Sequence, residues 1–288
     1  MLYLGGRYEW WSGFDGSKSK DVGGSLVKTY LGEREEDHFS PKIAITYKPN
    51  ENWNFRFSLA KAYRFPTIGE LYYGSISSDG TVIATNPNLK SEEVFAKDFT
   101  IMRSLGNDGK VRLSFFENSE KNAVFRQTNI YTMVSNYQNI DKVRKRGIEF
   151  SVEKRKFLID GLDVMGNIAY THAEILKNTN SPTSEGKTFP RCPEWTSNAA
   201  IFYSPLKNLT LTFAGRYASK EWNTLDNTDT KGGYGGIDSY LVFDTKLMYV
   251  FLNNWKASVG VDNLTDELYH SSHPLPRRTF FAMLEARF

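Results

Sequence analysis

The chain has 288 residues, 40% of them hydrophobic and 15% aromatic, with a formal charge of +3. So even a balance excludes a strong electrostatic pull toward nucleic acid, the single cysteine excludes an intrachain disulfide, and no stretch approaches the roughly 18 apolar residues of a spanning helix. A mean hydropathy of −0.48 does not exclude a membrane β-barrel, in which only every second residue faces lipid.

Alternation with period two, broken by turn residues, runs through the whole chain. Trp53, Phe55, Phe57 and Leu59 alternate with polar neighbours. So, for the most part, do Leu209, Leu211 and Phe213, then Trp255, Ala257, Val259 and Val261, while Phe280, Ala282, Leu284, Ala286 and Phe288 share one face at the very end. The pattern predicts an all-β chain of about twelve antiparallel strands, most near the ~9–11 residues that a tilted membrane strand needs. Their cores fall at 2–10, 40–48, 53–63, 93–104, 109–118, 144–155, 162–173, 195–204, 208–219, 239–250, 254–263 and 278–288.

The connections alternate short and long. Short ones lie near Pro49 to Glu51, Gly106 to Asp108, Phe157 to Gly161, Pro205 to Lys207 and Leu252-Asn253. Long ones run over 11–39, 64–92, 119–143, 174–194, 220–238 and 264–277. A soluble sandwich has no reason to put every long loop at one end, whereas outer-membrane barrels combine tight periplasmic turns with long outer loops. Trp53, Trp255, Tyr47, Tyr203 and Tyr249 gather at the short-turn end, and Trp10, Trp11, Trp195 and Trp222 beside the long loops, as two interfacial belts would. Ordinary sheet aromatics are the plainer reading, since aromatics favour strands. Phe280, Leu284 and the terminal Phe288 read as a tail for the barrel-assembly machinery, whose logic is strand addition at an open edge.

Five segments then carry a family resemblance, in order. They are Ala62-Tyr63-Arg64-Phe65-Pro66-Thr67-Ile68-Gly69-Glu70-Leu71-Tyr72, Asn86-Pro87-Asn88-Leu89-Lys90-Ser91-Glu92, Tyr137-Gln138-Asn139-Ile140 with Arg146-Gly147-Ile148-Glu149, Val261-Asp262-Asn263-Leu264-Thr265-Asp266 with Tyr269, and Arg278-Thr279-Phe280. Together they resemble the C-terminal half of the barrel of TonB-dependent outer-membrane receptors, over essentially all of 1–288. Ser91 stands where that family usually has Pro, Arg277 where it has Gly, Phe65 where it has a small residue, and Cys192 interrupts an Arg-x-Pro entry.

The resemblance implies a barrel of about 22 strands with an internal plug and a TonB-binding segment. This chain has room for about twelve strands and neither addition, and Met1 to Arg7 does not read as a secretory signal, so a fragment is expected. The implied setting is the bacterial outer membrane, with lipid and the assembly machinery as partners, plug and TonB only in a full-length protein. The implied function is uptake of a scarce ligand such as an iron–siderophore complex, without covalent chemistry. Ligand contacts are expected from the loop residues Arg64, Tyr72, Tyr73, Trp222, Tyr234, Tyr269 and His270, because aromatics and Arg suit flat, anionic complexes. Simple loop polarity or interface anchoring would account for each of them singly.

Arg56, Arg112, Glu149, Arg216 and Asp262 are candidates for a polar lumen, and Gly147 for a bulge or a close packing contact. No Gly-x-Ser-x-Gly, P-loop, Cys-x-x-Cys or His-Glu-x-x-His occurs, so neither an enzyme nor a cofactor is expected. His270 and His273 sit three apart on a Pro-rich loop, a weak spacing for a metal. The rival architectures are a soluble carbohydrate-binding β-sandwich and a small self-closed pore.

Overall fold

A computed structural model describes residues 1–72, 74–76, 82–129, 134–229, 233, 235–252 and 254–287. Tyr73, Tyr234 and Phe288, each singled out in the sequence, lie outside the described residues.

Twelve long strands follow one another in a single antiparallel sheet. They are β1 (Leu2–Gly13), β2 (Arg34–Asn50), β3 (Trp53–Arg64), β4 (Glu92–Ser104), β5 (Gly109–Asn129), β6 (Val134–Lys154), β7 (Leu162–Lys177), β8 (Trp195–Leu206), β9 (Leu209–Ala218), β10 (Tyr240–Phe251), β11 (Trp255–Asp262) and β12 (Thr279–Ala286). Every strand expected from alternation is present, each pairs with the next, and the connections alternate short and long as expected except at 119–143. The sheet is open: β1 and β12 stand at its two ends and do not pair. A single sheet is neither a sandwich nor a self-closed pore.

Register shows why the alternation was so regular. Leu2, Ile45, Phe57, Phe99, Phe115, Ile148, Tyr170 and Trp195 stand directly opposite one another across β1 to β8. Val164, Ile201, Phe213, Thr245, Val261 and Phe280 form a second such row across β7 to β12. Side chains directly opposite share a face, and these large apolar groups are left open, with Ile45 51% and Phe115 40% exposed. A continuous exposed apolar face of this kind is the lipid face of a barrel wall. Arg56, Arg112, Glu149, Arg216 and Asp262 are one residue out of step with the rows and fall on the opposite face. There Arg216 pairs with Asp244 at 3.2 Å.

Three expectations change. The segment 119–143 is not a long loop, because β5 and β6 run on through it as a tall hairpin. Its inward residues Ala123, Phe125, Ile140 and Val143 bury themselves with Ile175, Leu225 and Phe189 in a small core at the long-loop end, and that burial holds the hairpin extended. The 11–39 loop carries its own hairpin, Ser17–Val22 against Ser25–Tyr30. Trp11 does not join the outer belt with Trp10: alternation turns it to the other face, where its ring stacks on Phe65 with centroids 6.5 Å apart. Gly147 is a close contact, since an added Cβ would meet the Tyr170 carbonyl oxygen and, at 2.7 Å, the Phe116 ring.

Candidate functional site

The long-loop end is where the wall becomes three-dimensional. The β3–β4 connection starts with Arg64 and turns into the short helix α1 (Ile68–Tyr72). Thr67-x-x-Glu70 closes a capping box: Glu70 N–H donates to Thr67 Oγ1 at 3.2 Å, and Thr67 N–H to Glu70 Oε2 at 2.7 Å. The Arg64 guanidinium bridges the Glu70 carboxylate, 2.9 Å away, and that of Glu92. Burial works to raise the Glu70 carboxyl, but Arg64 and the Thr67 N–H together hold it below its ordinary value. Arg64, expected as a ligand contact, is here a clamp between the first two resembling segments.

The third segment joins the same knot. Asn86 Nδ2 donates to Tyr137 O at 2.8 Å. Asn139 exchanges two hydrogen bonds with the Lys90 backbone, at 2.8 and 3.0 Å, and gives a third to Asn122 O. The fourth segment locks another corner. Buried Asn263, at φ 53°, donates to Glu267 O and accepts from Glu267 N–H, both at 2.8 Å. Asp266 accepts from Arg278 N–H at 3.0 Å and pairs with Arg277 at 2.7 Å, so the unusual Arg277 serves as an anchor. The segments that carry the resemblance thus brace the loops.

Between these braces opens a cleft of about 380 Å³, lined by Glu70, Phe125, Arg126, Tyr137, Lys145, Phe189 and Arg191, with Cys192 at its edge. Phe125 and Phe189 meet edge to face at 5.9 Å. Lys145 Nζ lies 4.6 Å from the Phe189 ring and the Arg191 guanidinium 5.4 Å from that of Phe125. Glu120 pairs with Lys145 at 2.9 Å, whereas the exposed Arg126 makes no ion pair among the described residues. The cleft therefore offers cations on aromatic faces, an arrangement suited to an anionic ligand with flat groups. Burial pushes the Cys192 thiol up, with Lys145 acting the other way, and so disfavours the reactive thiolate.

None of the described loop residues expected from the sequence lines this cleft. Arg64 and Tyr72 reach it through α1 and Glu70, and Trp222 through its carbonyl, which accepts from Arg191 N–H at 2.8 Å. Lys220 Nζ caps the Trp222 ring at 4.5 Å. Tyr269 is 7% exposed with its ring 4.4 Å from that of Tyr240. His270 Nδ1 lies 2.8 Å from Asp238 Oδ2. Single bridges from Ile237 to Glu221 and to Ser271 tie the loops of Trp222 and His270 together. Arg126, Lys145 and Arg191 were missed because each sits in a charged or turn-like stretch, and only the tall hairpin brings them to one place. Phe280 and Leu284 are exposed on the apolar face of the last strand.

An apolar belt on one face, a polar other face and one-sided loops define the wall of an outer-membrane β-barrel. Residues 1–264 match the family model described as TonB dependent receptor-like, beta-barrel. The chain belongs to that family, and its place is the outer membrane. It is 24% identical over 261 residues to the iron-regulated outer membrane virulence protein of Vibrio cholerae serotype O1, covering 83% of this chain and 38% of that protein. The solved ferric-catecholate import receptor Fiu of E. coli K12 superposes with a TM-score of 0.76 at 20% identity, covering 100% of this chain and 42% of that one. The copper transporter OprC gives 0.75 at 18%, covering 100% and 45%. At such identities the structures show the shared fold alone. The chain spans less than half the length of these relatives.

Proposed function

We propose that this wall serves an uptake receptor for a scarce, anionic, ring-bearing ligand of the iron–siderophore class, driven by TonB in a protein that also has a plug. The single observation that carries this reading is the cleft in which Arg126, Lys145 and Arg191 stand around the rings of Phe125 and Phe189. Ferric siderophores present flat chelating groups and negative charge, and guanidinium groups set beside aromatic rings complement both. Tyr72 and Trp222 are proposed as further contacts from the loops around it, and Tyr73 and Tyr234 as ligand contacts too, with Arg64, Tyr269 and His270 as the residues that hold those loops. The similarity to receptors named for iron and ferric catecholate supports this ligand class. The step is binding and release, with no bond made or broken in the ligand.

The test is binding of a panel, ferric catecholate, ferric hydroxamate, haem and copper, to the protein in detergent, followed by intrinsic fluorescence. A ferric siderophore is expected to bind, with Arg126→Ala and Arg191→Ala each weakening it by about tenfold, the worth of roughly 1.4 kcal/mol. Binding of copper or haem alone, or siderophore binding indifferent to both substitutions, would sink the reading.

A further inference from the structure

The short turns are not alike. Those at Asn50 to Asn52 and Gly106 to Asp108 are polar, as suits turns in water. The turn between β6 and β7 instead carries Phe157, Leu158 and Ile159 at its tip, 42%, 85% and 52% exposed. Leu158 is the most exposed large apolar side chain among the described residues. The tip is held from several sides. Arg155 N–H donates to Asp108 O at 2.6 Å, Lys156 N–H to Asp163 Oδ1 at 3.0 Å and Phe157 N–H to Leu162 O at 2.7 Å. Gly161, at φ 81°, accepts from Ser204 N–H at 2.8 Å, and Ser204 O lies where a Cβ would stand. Lys156 and Leu158 take φ of 51° and 66°, left-handed conformations that non-glycine residues rarely adopt. Such strain persists only where the surroundings over-determine it. Here they hold three apolar side chains outward.

Lys154, Arg155 and Lys156 lead into this tip. Lys154 and Arg155 make no ion pair among the described residues, and Lys156 lies 3.7 Å from Asp160 across exposed side chains. Lys154 stands opposite Val164, which begins the row of Ile201 and Phe213 on the lipid face. The tip therefore prolongs the apolar face past its last row. The next short turn repeats the combination with exposed Leu206 and Lys207. We propose that the β6–β7 turn is a membrane anchor, which inserts Phe157, Leu158 and Ile159 into the leaflet at the short-turn end and holds an anionic phospholipid head group on Lys154 and Lys156. The inference rests on the short turns lying at the periplasmic side and is independent of the transported ligand. Apolar groups give such an anchor its depth, and ammonium groups beside them meet lipid phosphates. The tip is convex and continuous with the lipid face, which suits a fluid leaflet better than the concave seat of a protein.

The test has two readouts. In vesicles containing phosphatidylglycerol, a fluorophore is attached in Leu158→Cys and, as control, in Asn107→Cys, each with Cys192→Ser. A nitroxide on the lipid acyl chain is expected to quench the first, and iodide on both sides of the bilayer to quench the second. Equal access of iodide to both puts the tip in water and overturns the proposal in favour of a protein partner. Native mass spectrometry of the unaltered chain then compares phosphatidylglycerol with phosphatidylcholine of the same acyl chains. A one-to-one adduct is expected with the first, favoured by about fivefold or more, the worth of one cation at a lipid surface. Lys154→Gln with Lys156→Gln is expected to abolish that preference and to leave the tip out of reach of iodide. No preference in the unaltered chain, or one that survives both substitutions, overturns the proposal. The comparison of lipids needs no substitution, so it decides even if a labelled variant does not fold.

Discussion

The side-chain amide of Asn139 on β6 pairs with the backbone of Lys90, in the loop before β4, as one strand pairs with another. Lys90 N–H donates to Asn139 Oδ1 at 2.8 Å and Asn139 Nδ2 donates to Lys90 O at 3.0 Å. One side chain thereby satisfies both polar groups of a loop peptide that no ladder reaches. Asn139→Ala leaves them and Asn122 O without that partner, at a cost of about 1–3 kcal/mol. Amide exchange should speed up in residues 86–92 while the middle of β6 and β7 stays protected. Unchanged exchange at Lys90 would show that the pairing contributes nothing.

Glu70 gives the loop a pH dependence of known sign. Its folded carboxyl lies below the ordinary value of 4.5, because Arg64 and the Thr67 N–H outweigh burial. The stability it contributes is therefore full above that value and is lost as the pH falls through the folded one. Protection of the Thr67 amide should persist at pH 5 and disappear on further acidification. Glu70→Gln should flatten this dependence, and a loss of protection already between pH 7 and 5 would contradict the assignment.

Cys192 is expected to be a slow thiol. Burial disfavours its ionisation, so at pH 8 it should react with a maleimide more slowly in the folded chain than in urea, since the thiolate is the reacting form. Equal rates would place the thiol in water and open that edge of the cleft.

Gly147→Ala is expected to lower the melting temperature of the folded chain in detergent, followed by the strand signal in circular dichroism. The added methyl must displace the Phe116 ring or the β7 backbone at Tyr170, an overpacking that costs about 1–3 kcal/mol. Pairing the change with Phe116→Ala should recover stability only if the ring is the obstacle. If the backbone oxygen dominates, the double variant stays as weak as the single one.

The number and order of the wall strands were legible in the sequence, because a wall exposed to lipid on one face and a polar interior on the other imposes strict alternation, but the full length of β5 and β6 was not. The short turns and most of the long loops were legible for the same reason: each interruption of the alternation marks an end of the wall. What Phe125, Ile140 and Val143 do was not legible. Their stretch is rich in charged and polar residues, and its extended course depends on burial against Ile175, Leu225 and Phe189, far away in the chain. The clamp role of Arg64, expected as a ligand contact, was not legible because its partners Glu70 and Glu92 meet it only through a capped helix and a neighbouring strand. Arg126, Lys145 and Arg191 share a cleft only because a tall hairpin and a distant loop converge. Periodicity is a local property and survives in the linear text. Which cation keeps a carboxylate, and which is left for a ligand, is decided by contacts between strands and loops that only the folded chain brings together.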